Sequence, residues 1–600
     1  MTEAGGERTS RPLRLLLETF LLAGLVALSL TAVRAHQKDD SPTFDEAIHL
    51  FSGAEALEDG SAWLNPEHPP LLKLAGALAL RPLDLVTPCR VRPCTASPFN
   101  GYLKWLYGNR SPAHEIVATG RRPFPWVLAL LVVTLHLAVR PFAGPVAGLL
   151  AAGLVAFDPT FVAHAAYVHT DVGAALGFVA VVVLCLRAAS GTGLGLWLAL
   201  GLALGLALVA KFSTILLVPL VVVSPILRPR LRPEPLRSPS ARAVARQAPL
   251  GVLAALGVAA LLVVGTYAFT LRRMEPPAAE RAIASYLRGR DARPDEVGRH
   301  AALSRLSAPV GLYLGGLKGV LVLSERGRGA NWFRGKTSDR SFPLYFPAAF
   351  LLKSPEAFLV FLLLAFGLGL RRLRSVLRPA SASALAVFVP LAVAAVYLGS
   401  SMRSSFNIGA RHLLPVWALL AFSGAVVLGR ALQRRPRLLS VVALGLVGAA
   451  GASLASAGAS PIAYFNLLAG GPDGGRRWFS DSNVDWGQDL LRLHHVLRAR
   501  GWESSTTIVA YGGVATNYYS RSCRLLDPAR PFGPGRYAVS HVMETIGEPF
   551  TRGIEGEAAA RQVADLVRAL HERGRRIGFV GGSITLWELP ESGPPPPGNS

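Results

Sequence analysis

About eleven apolar runs divide this 600-residue chain, most of them near the roughly 20 residues that cross a bilayer. They fall at 13–33, 124–140, 142–157, 171–188, 192–210, 212–227, 249–270, 347–370, 380–399, 412–430 and 438–456. A backbone in lipid must satisfy its own hydrogen bonds, so such a chain folds as a bundle of spanning helices. Composition agrees: 51% of residues are hydrophobic and only 17% charged, with a mean hydropathy of +0.38.

The formal net charge of +24 would suggest nucleic acid if it formed a patch on a soluble domain, but no nucleic-acid module accompanies it. The arginines lie between apolar runs, where the positive-inside bias accounts for them. The first run follows Arg8, Arg11 and Arg14 and lacks a small-x-small cleavage site, so it reads as an uncleaved span with a cytoplasmic N-terminus. The cytoplasmic loops then hold Arg140, Arg228 to Arg246, Arg371 to Arg378 and Arg430 to Arg437. Loops 34–123, 158–170 and 271–346 and everything after 456 fall outside the cytoplasmic membrane. The expected organisation is a membrane domain over 1–456, an extracytoplasmic α/β domain over 457–589, and a disordered Pro/Gly-rich tail over 590–600.

Within the first outer loop, Phe44 to Leu57 has helical apolar spacing and is expected along the membrane surface. Leu71 to Leu80 is too short to span and is expected as a re-entrant or interfacial helix. Cys89 and Cys94 stand as Cys-x4-Cys, which an oxidising exterior would allow to form a local disulfide. Cys185 reads as a small apolar residue, and Cys523 has no evident partner in sequence. In the tail, Thr506 to Tyr511, Arg536 to Ser540 and Arg576 to Glu588 are expected as strands and Ala558 to Arg573 as an amphipathic helix.

Three groups of polar residues stand beside the spans. Asp45-Glu46 is an acidic pair just past the first span; on a helix the two side chains point about 100° apart, so one would face a cleft and the other support it. Alone, the pair could equally be a solvated helix start. The stretch Asp158 to Asp171 brings two carboxylates together with His164 and His169, an unusual polar density beside lipid. Its simpler reading is capping, with Thr170 or Asp171 at the N-cap of the following helix. His164 and His169 do not have diagnostic metal spacing, and no metal or other cofactor is expected. Among the cations, Lys73 reads best as a snorkelling anchor. Lys211, Lys353 and Arg411-His412 stand at span ends, and the last pair lies where the positive-inside bias does not place cations.

The order of these pieces resembles the polyprenyl-phosphate-sugar-dependent membrane glycosyltransferases of the C-type fold. That group includes the family 39 protein mannosyltransferases and the aminoarabinose transferases. The matching stretches are Phe44-Asp45-Glu46, Glu67-His68-Pro69-Pro70-Leu71, the Asp158 to Asp171 loop, Lys211, Tyr345-Phe346-Pro347 with Lys353-Ser354-Pro355, and Gly409 to Pro415. The resemblance implies Asp45 as the acceptor's base with Glu46 as partner, and Asp171, less directly Asp158, as the second-loop acid. It implies His68, Lys211, Lys353, Arg411 and His412 around the donor phosphate, although His68 stands where the aminoarabinose transferases have Lys. The lumenal domain of the protein mannosyltransferases has no counterpart here.

In the tail, Asp481, Asn483, Asp485, Trp486 and Gln488 would suit a sugar or acceptor surface, with Tyr511 and Tyr518-Tyr519 near it. The alternative reading makes Asp485 the cap of the helix that runs to Arg500, with Trp486 packing inward. The expected function is inverting transfer of a monosaccharide from a polyprenyl-phosphate donor to a protein, lipid or glycan acceptor. The rival reading is a transporter or flippase, or a non-catalytic envelope-assembly protein.

Overall fold

The computed structural model describes residues 4–86, 98–190, 193–227, 239–327, 329–371, 382–512, 516–519 and 522–591. Among them, seven helices are long and apolar enough to cross a membrane, or nine if two bent pairs each form one span. Two shorter apolar helical stretches, Leu194–Ala210 and Phe212–Leu227, lie beside them. The Cys89–Cys94 pair and residues 592–600 lie outside the described residues, as do parts of the 228–246 and 371–378 loops.

One run read as a continuous span, 347–370, is broken before a proline, and the end of another, 142–157, bends across Asp158-Pro159 into a short helix. Pro145–Ala156 meets Pro159–Ala165 at 64°. Asp158 takes extended backbone (φ −72°, ψ 122°) and its carboxylate accepts the Thr160 and Phe161 N–H groups at 2.7 and 3.2 Å. Asp158 thus caps the helix after it, a role the sequence reading gave to Thr170 or Asp171. Tyr345–Lys353 and Glu356–Arg371 stand 105° apart, hinged at extended Ser354 ahead of Pro355. Proline disfavours helical backbone in the residue before it, a local effect that hydropathy does not register.

Ala410–Ala431 is the central span, 89% buried within the protein, whereas Pro12–Gln37 is 11% buried and presents its apolar surface outward. Leu194–Ala210 packs closely on Pro239–Thr270: a Cβ on Gly201 would sit 2.5 Å from the Ala255 carbonyl oxygen. Small residues at such a seam let two spans approach.

The polar loops gather on one side of this bundle. Helices Glu46–Glu58 and Leu71–Ala79 form where expected and neither is long enough to span, but ten of the thirteen residues of the first are buried, so it packs inside the protein instead of lying along a surface. Ser41 N–H donates to the Gln488 carbonyl at 2.9 Å, Phe44 N–H to that of Trp486 at 3.0 Å, and Arg334 N–H to that of Trp478 at 3.0 Å. The first loop, the 271–346 loop and the C-terminal region are thus bonded to each other, on the common side that the arginine alternation requires.

A hairpin of β1 (Asn331–Phe333) and β2 (Lys336–Ser338) rises from the 271–346 loop. The C-terminal region carries a mixed sheet of β3 (Thr506–Val509), β4 (Arg524–Leu525), β5 (Gly535–Ser540), β6 (Arg575–Val580) and β7 (Ile584–Leu589), in the order β4-β3-β5-β7-β6. Helices Leu490–Ala499, His541–Glu555 and Glu557–Arg573 accompany it. His541–Glu555 escaped the sequence reading because Gly547 and Pro549 interrupt its pattern; the chain kinks there, at Ile546 (φ −122°, ψ 17°).

Candidate active site

Asp45 occupies the N-cap position of Glu46–Glu58, yet its side chain makes no capping bond. Instead it accepts from Arg411 Nη1 at 3.1 Å and lies 3.4 Å from His169 Nε2. Burial works to raise its pKa, but the hydrogen bond from His169 and the charge of Arg411 prevail and hold the carboxyl well below its ordinary range. Asp45 is therefore a carboxylate at neutral pH.

Glu46, one residue on, faces elsewhere. Its Oε1 accepts from Arg121 Nε at 2.8 Å and from Val168 N–H at 2.9 Å. Its Oε2 accepts from Arg121 Nη2 at 2.7 Å and from Thr43 N–H at 2.8 Å. The same guanidinium donates to the carbonyls of Gln37, Asp40 and Ser41 at 3.2, 2.9 and 2.9 Å. Glu46 and Arg121 together tie the end of the first span, helix Glu46–Glu58 and the second polar loop into one clamp.

His169 sits between two carboxylates, Asp45 on its Nε2 side and Asp171 on its Nδ1 side. Asp171 also pairs with Lys211. Arg411 Nη1 lies 3.0 Å from His169 Nε2, and the Arg411 guanidinium rests 4.0 Å over the Trp486 ring. The segments around 45, 169, 211, 411 and 486 thus meet at one centre.

That centre opens into a cavity of about 240 Å³ lined by Asp45, His68, His169, Lys211, Arg411 and His412. Apolar side chains continue its wall, among them Phe212, Leu216, Leu317, Val320 and Phe406. Four of the five residues expected around a donor phosphate line this cavity. Lys353 does not: it is 2% exposed, with Nζ donating to the Ile462 and Asn483 carbonyls at 2.7 Å each. Its position against the Phe465 ring, 4.4 Å away, makes it a buried brace. Burial holds His68 well below its ordinary pKa, with His49 and His169 adding to that effect, so it lines the cavity as a neutral ring. Asp171 touches the centre through His169 and Lys211. Asp158 and His164 are buried behind it, His164 packed edge-on to Trp486 at 5.6 Å.

The tail stretch offers no sugar surface. Asn483, Asp485 and Gln488 are wholly buried and Trp486 is 1% exposed. Each is committed to the fold. Asn483 Oδ1 accepts the Ala410 N–H at 2.8 Å and Gln488 Oε1 the Trp486 N–H at 2.7 Å. Asp485 does not cap the helix toward Arg500; its carboxylate accepts the Gly487 and Val542 N–H groups at 3.1 and 3.0 Å. Ser482, next to Asp481, donates to the Ile408 carbonyl at 2.8 Å. The stretch from Asp481 to Gln488 is a bracket that seats Arg411 between Trp486 and Asp45. Polar residues at this density look like a binding surface in sequence because a sequence does not show what covers them.

Two contributors escaped the sequence reading. His49 stacks on His169 at 5.4 Å and meets His68 edge-on at 4.8 Å; its place four residues past Asp45 on one helix face was the available signal. Arg121 stands just before a span on the side where the charge bias predicts few cations, the criterion that singled out Arg411. Among the described residues, no three His, Cys, Asp or Glu side chains are arranged to hold a metal ion.

Residues 123–248 match the family model for dolichyl-phosphate-mannose-protein mannosyltransferases, and no curated protein matches the chain. Among solved structures, the Archaeoglobus fulgidus oligosaccharyltransferase AglB, in complex with an inhibitory peptide and a dolichol-phosphate, aligns over 94% of this chain and 73% of its own, at 11% identity and a TM-score of 0.49. The S. cerevisiae protein O-mannosyltransferase Pmt1-Pmt2 complex, bound to its sugar donor, aligns over 44% of this chain and 35% of its own, at 19% identity and a TM-score of 0.33. ArnT from Cupriavidus metallidurans, bound to undecaprenyl phosphate, aligns over 95% of this chain and 98% of its own, at 13% identity and a TM-score of 0.30. These scores carry no residue-by-residue correspondence. Through the segment that bears the mannosyltransferase match, this multi-pass membrane chain is similar to the polyprenyl-phosphate-sugar-dependent glycosyltransferases.

Proposed function

We propose that the chain is an inverting glycosyltransferase that takes a monosaccharide from a polyprenyl-phosphate donor and places it on a hydroxyl acceptor outside the cytoplasmic membrane. The observation that carries this reading is the cavity in which the Asp45 carboxylate stands beside Lys211 and Arg411, with apolar side chains continuing the wall. A general base, an anion clamp and a lipid-compatible surface are what such a reaction needs together.

In this mechanism the acceptor hydroxyl loses its proton to Asp45 as its oxygen attacks the anomeric carbon. The bond from that carbon to the phosphate oxygen breaks, the electron pair leaves with the phosphate, and a single displacement inverts the anomeric centre. Lys211 and Arg411 meet the growing negative charge. His68 and His412 donate or accept hydrogen bonds at the same wall, and Asp171 holds His169 and Lys211 in place. Glu46 acts through the fold and Lys353 through packing, so neither is assigned to the reaction. The chain's own residues supply base and clamp, and the reaction as proposed uses no metal.

Purified protein in lipid nanodiscs, supplied with polyprenyl-phosphate-linked sugars and a mixed pool of envelope acceptors, tests the reading. It predicts donor consumption with release of polyprenyl phosphate and an acceptor linkage of inverted configuration. No consumption of any such donor, or retention at the anomeric centre, would rule it out.

A further inference from the structure

Four leucines are exposed where the polar loops meet the bundle: Leu344 and Leu351 at 66% and 46%, Leu467 and Leu468 at 81% and 63%. Leu344 is the N-cap of helix Tyr345–Lys353, and Leu351 lies seven positions on, two turns of about 3.6 residues, so the two share a face. The other two stand in the turn Leu467–Ala469, beyond the last span. Asn466 fastens that turn to the helix: its Nδ2 donates to the Leu351 and Ser354 carbonyls at 2.7 and 2.8 Å. The Leu467 N–H donates to Glu356 Oε1 at 2.8 Å. The patch therefore sits at the start of Glu356–Arg371, from which helix Tyr345–Lys353 turns at 105°. It continues the outward surface of that stretch, where Leu363 and Phe366 are 70% and 67% exposed.

The β1–β2 hairpin adjoins this patch, Phe333 meeting Tyr345 at 5.8 Å between ring centres. Its Arg334 and Lys336, and Arg340 just after it, are exposed. Among the described residues none of the three has a carboxylate partner; Arg334 rests 4.8 Å over Trp478. Asp339 brings one opposing charge, which leaves the segment cationic. Elsewhere in the same loop the cations are paired: Arg290 with Glu67, Arg305 with Glu280 and Lys318 with Glu296.

The depth of these cations is fixed by their anchors. Asn331 Nδ2 donates to the Ser405 carbonyl at 3.0 Å, and the Asn407 N–H donates to Asn331 Oδ1 at 2.9 Å, so the hairpin is tied to the end of the span Ala382–Arg403. Lys336 pairs with Phe333, two residues along β1 from Asn331. A strand rises about 3.3 Å per residue, which puts Lys336 at most about 7 Å beyond that anchor. The headgroup layer on each side of the hydrocarbon core is about 5–8 Å thick. The hairpin cations thus stand at headgroup depth and the leucines at the edge of the acyl region.

We infer that this corner is a docking surface for anionic phospholipid, with the four leucines entering the acyl edge and Arg334, Lys336 and Arg340 meeting headgroup phosphates. Leucines alone would take any lipid. The unpaired cations select the charged one, each strengthening attachment to an anionic surface about fivefold. A protein partner would have to displace the lipid that covers the adjoining surface of Glu356–Arg371. Because the Arg334 N–H is bonded to Trp478, lipid held here also steadies the C-terminal region over the bundle. The inference concerns attachment to the bilayer and stands apart from the transferase reading.

The test is photo-crosslinking of the full chain in nanodiscs of mixed phosphatidylglycerol and phosphatidylcholine. A diazirine lipid of either headgroup is added in equal trace amount, and adducts are mapped by mass spectrometry. Peptides of the span Pro12–Gln37, which is 11% buried, give the reference for ordinary lipid contact. We expect both lipids to label segments 334–344 and 464–470, with phosphatidylglycerol favoured at 334–344 at least threefold over the reference. The variant Arg334→Gln/Lys336→Gln/Arg340→Gln should bring that ratio down to the reference value. Leu467→Ser/Leu468→Ser should lower labelling of 464–470 by both lipids at least threefold. All five residues are exposed, so the variants should melt as the parent does. Equal labelling by the two lipids, or a preference that the triple variant keeps, overturns the inference. Absence of adducts at both segments would mean that something other than the bilayer covers the corner, and overturns it too.

Discussion

Replacing Glu46 by Gln separates two adjacent acids that sequence alone treats as a pair. Glu46 and Arg121 are each 1% exposed. Five hydrogen bonds converge on the Glu46 carboxylate: two from Arg121, two from the N–H groups of Thr43 and Val168, and one from Thr43 Oγ1 at 3.2 Å. A Gln side chain must turn its NH2 toward one set of these donors, and it leaves the buried guanidinium without a counter-charge. Removing one partner of a buried ion pair costs about 3–5 kcal/mol. The expected result is a loss of that order in unfolding free energy, read from tryptophan fluorescence during unfolding in mixed micelles. Asp45→Asn also loses an ion pair, with Arg411, but its side chain is 17% exposed and outside the clamp, so its loss should be the smaller of the two. A Glu46→Gln protein as stable as the parent, yet inactive, would refute the division of labour.

Three further outcomes follow from the site. His169→Ala removes the strongest of the contacts that lower the Asp45 pKa against burial; since Asp45 acts as carboxylate, the acid limb of the pH–rate profile should move to higher pH, and an unmoved limb would show that His169 does not govern it. Trp486→Leu takes away the platform under Arg411, worth about 0.5–2 kcal/mol, so the donor KM should rise roughly 3- to 30-fold with a smaller change in kcat. Asp485→Asn can accept only one of the two backbone N–H groups now bound, which should cost about 1–3 kcal/mol of stability in the same unfolding assay.

How much of this was legible in the sequence depended on whether a local pattern or a long-range contact carried the signal. Apolar run length announced the membrane bundle, and the two short helices after the first span followed from their spacing. The break at Ser354-Pro355 was written in the chain, but an average over an apolar window hides a single X-Pro step. Asp45, Lys211, Arg411 and His412 could be gathered in advance because charge beside lipid is conspicuous, and His68 through the family resemblance. The same criterion misplaced Lys353, whose two carbonyl partners come from residues more than a hundred positions away. Polar density in the tail misled at Asn483, Asp485 and Gln488, whose polarity serves buried backbone, while the inward packing of Trp486 was the alternative the sequence offered. Periodicity cannot tell a hydroxyl-binding surface from a bracket, since both need the same donors and acceptors.

The most direct test of the central claim compares Asp45→Asn with the parent in two measurements on one preparation: polyprenyl-phosphate binding and sugar transfer. Asn keeps the shape of Asp45 but cannot accept the acceptor's proton, and it removes a negative charge beside Lys211 and Arg411. The account predicts lipid-phosphate binding as tight as the parent's or tighter, with transfer slowed by about 10²- to 10⁴-fold. Transfer at the parental rate by the Asn protein would contradict it.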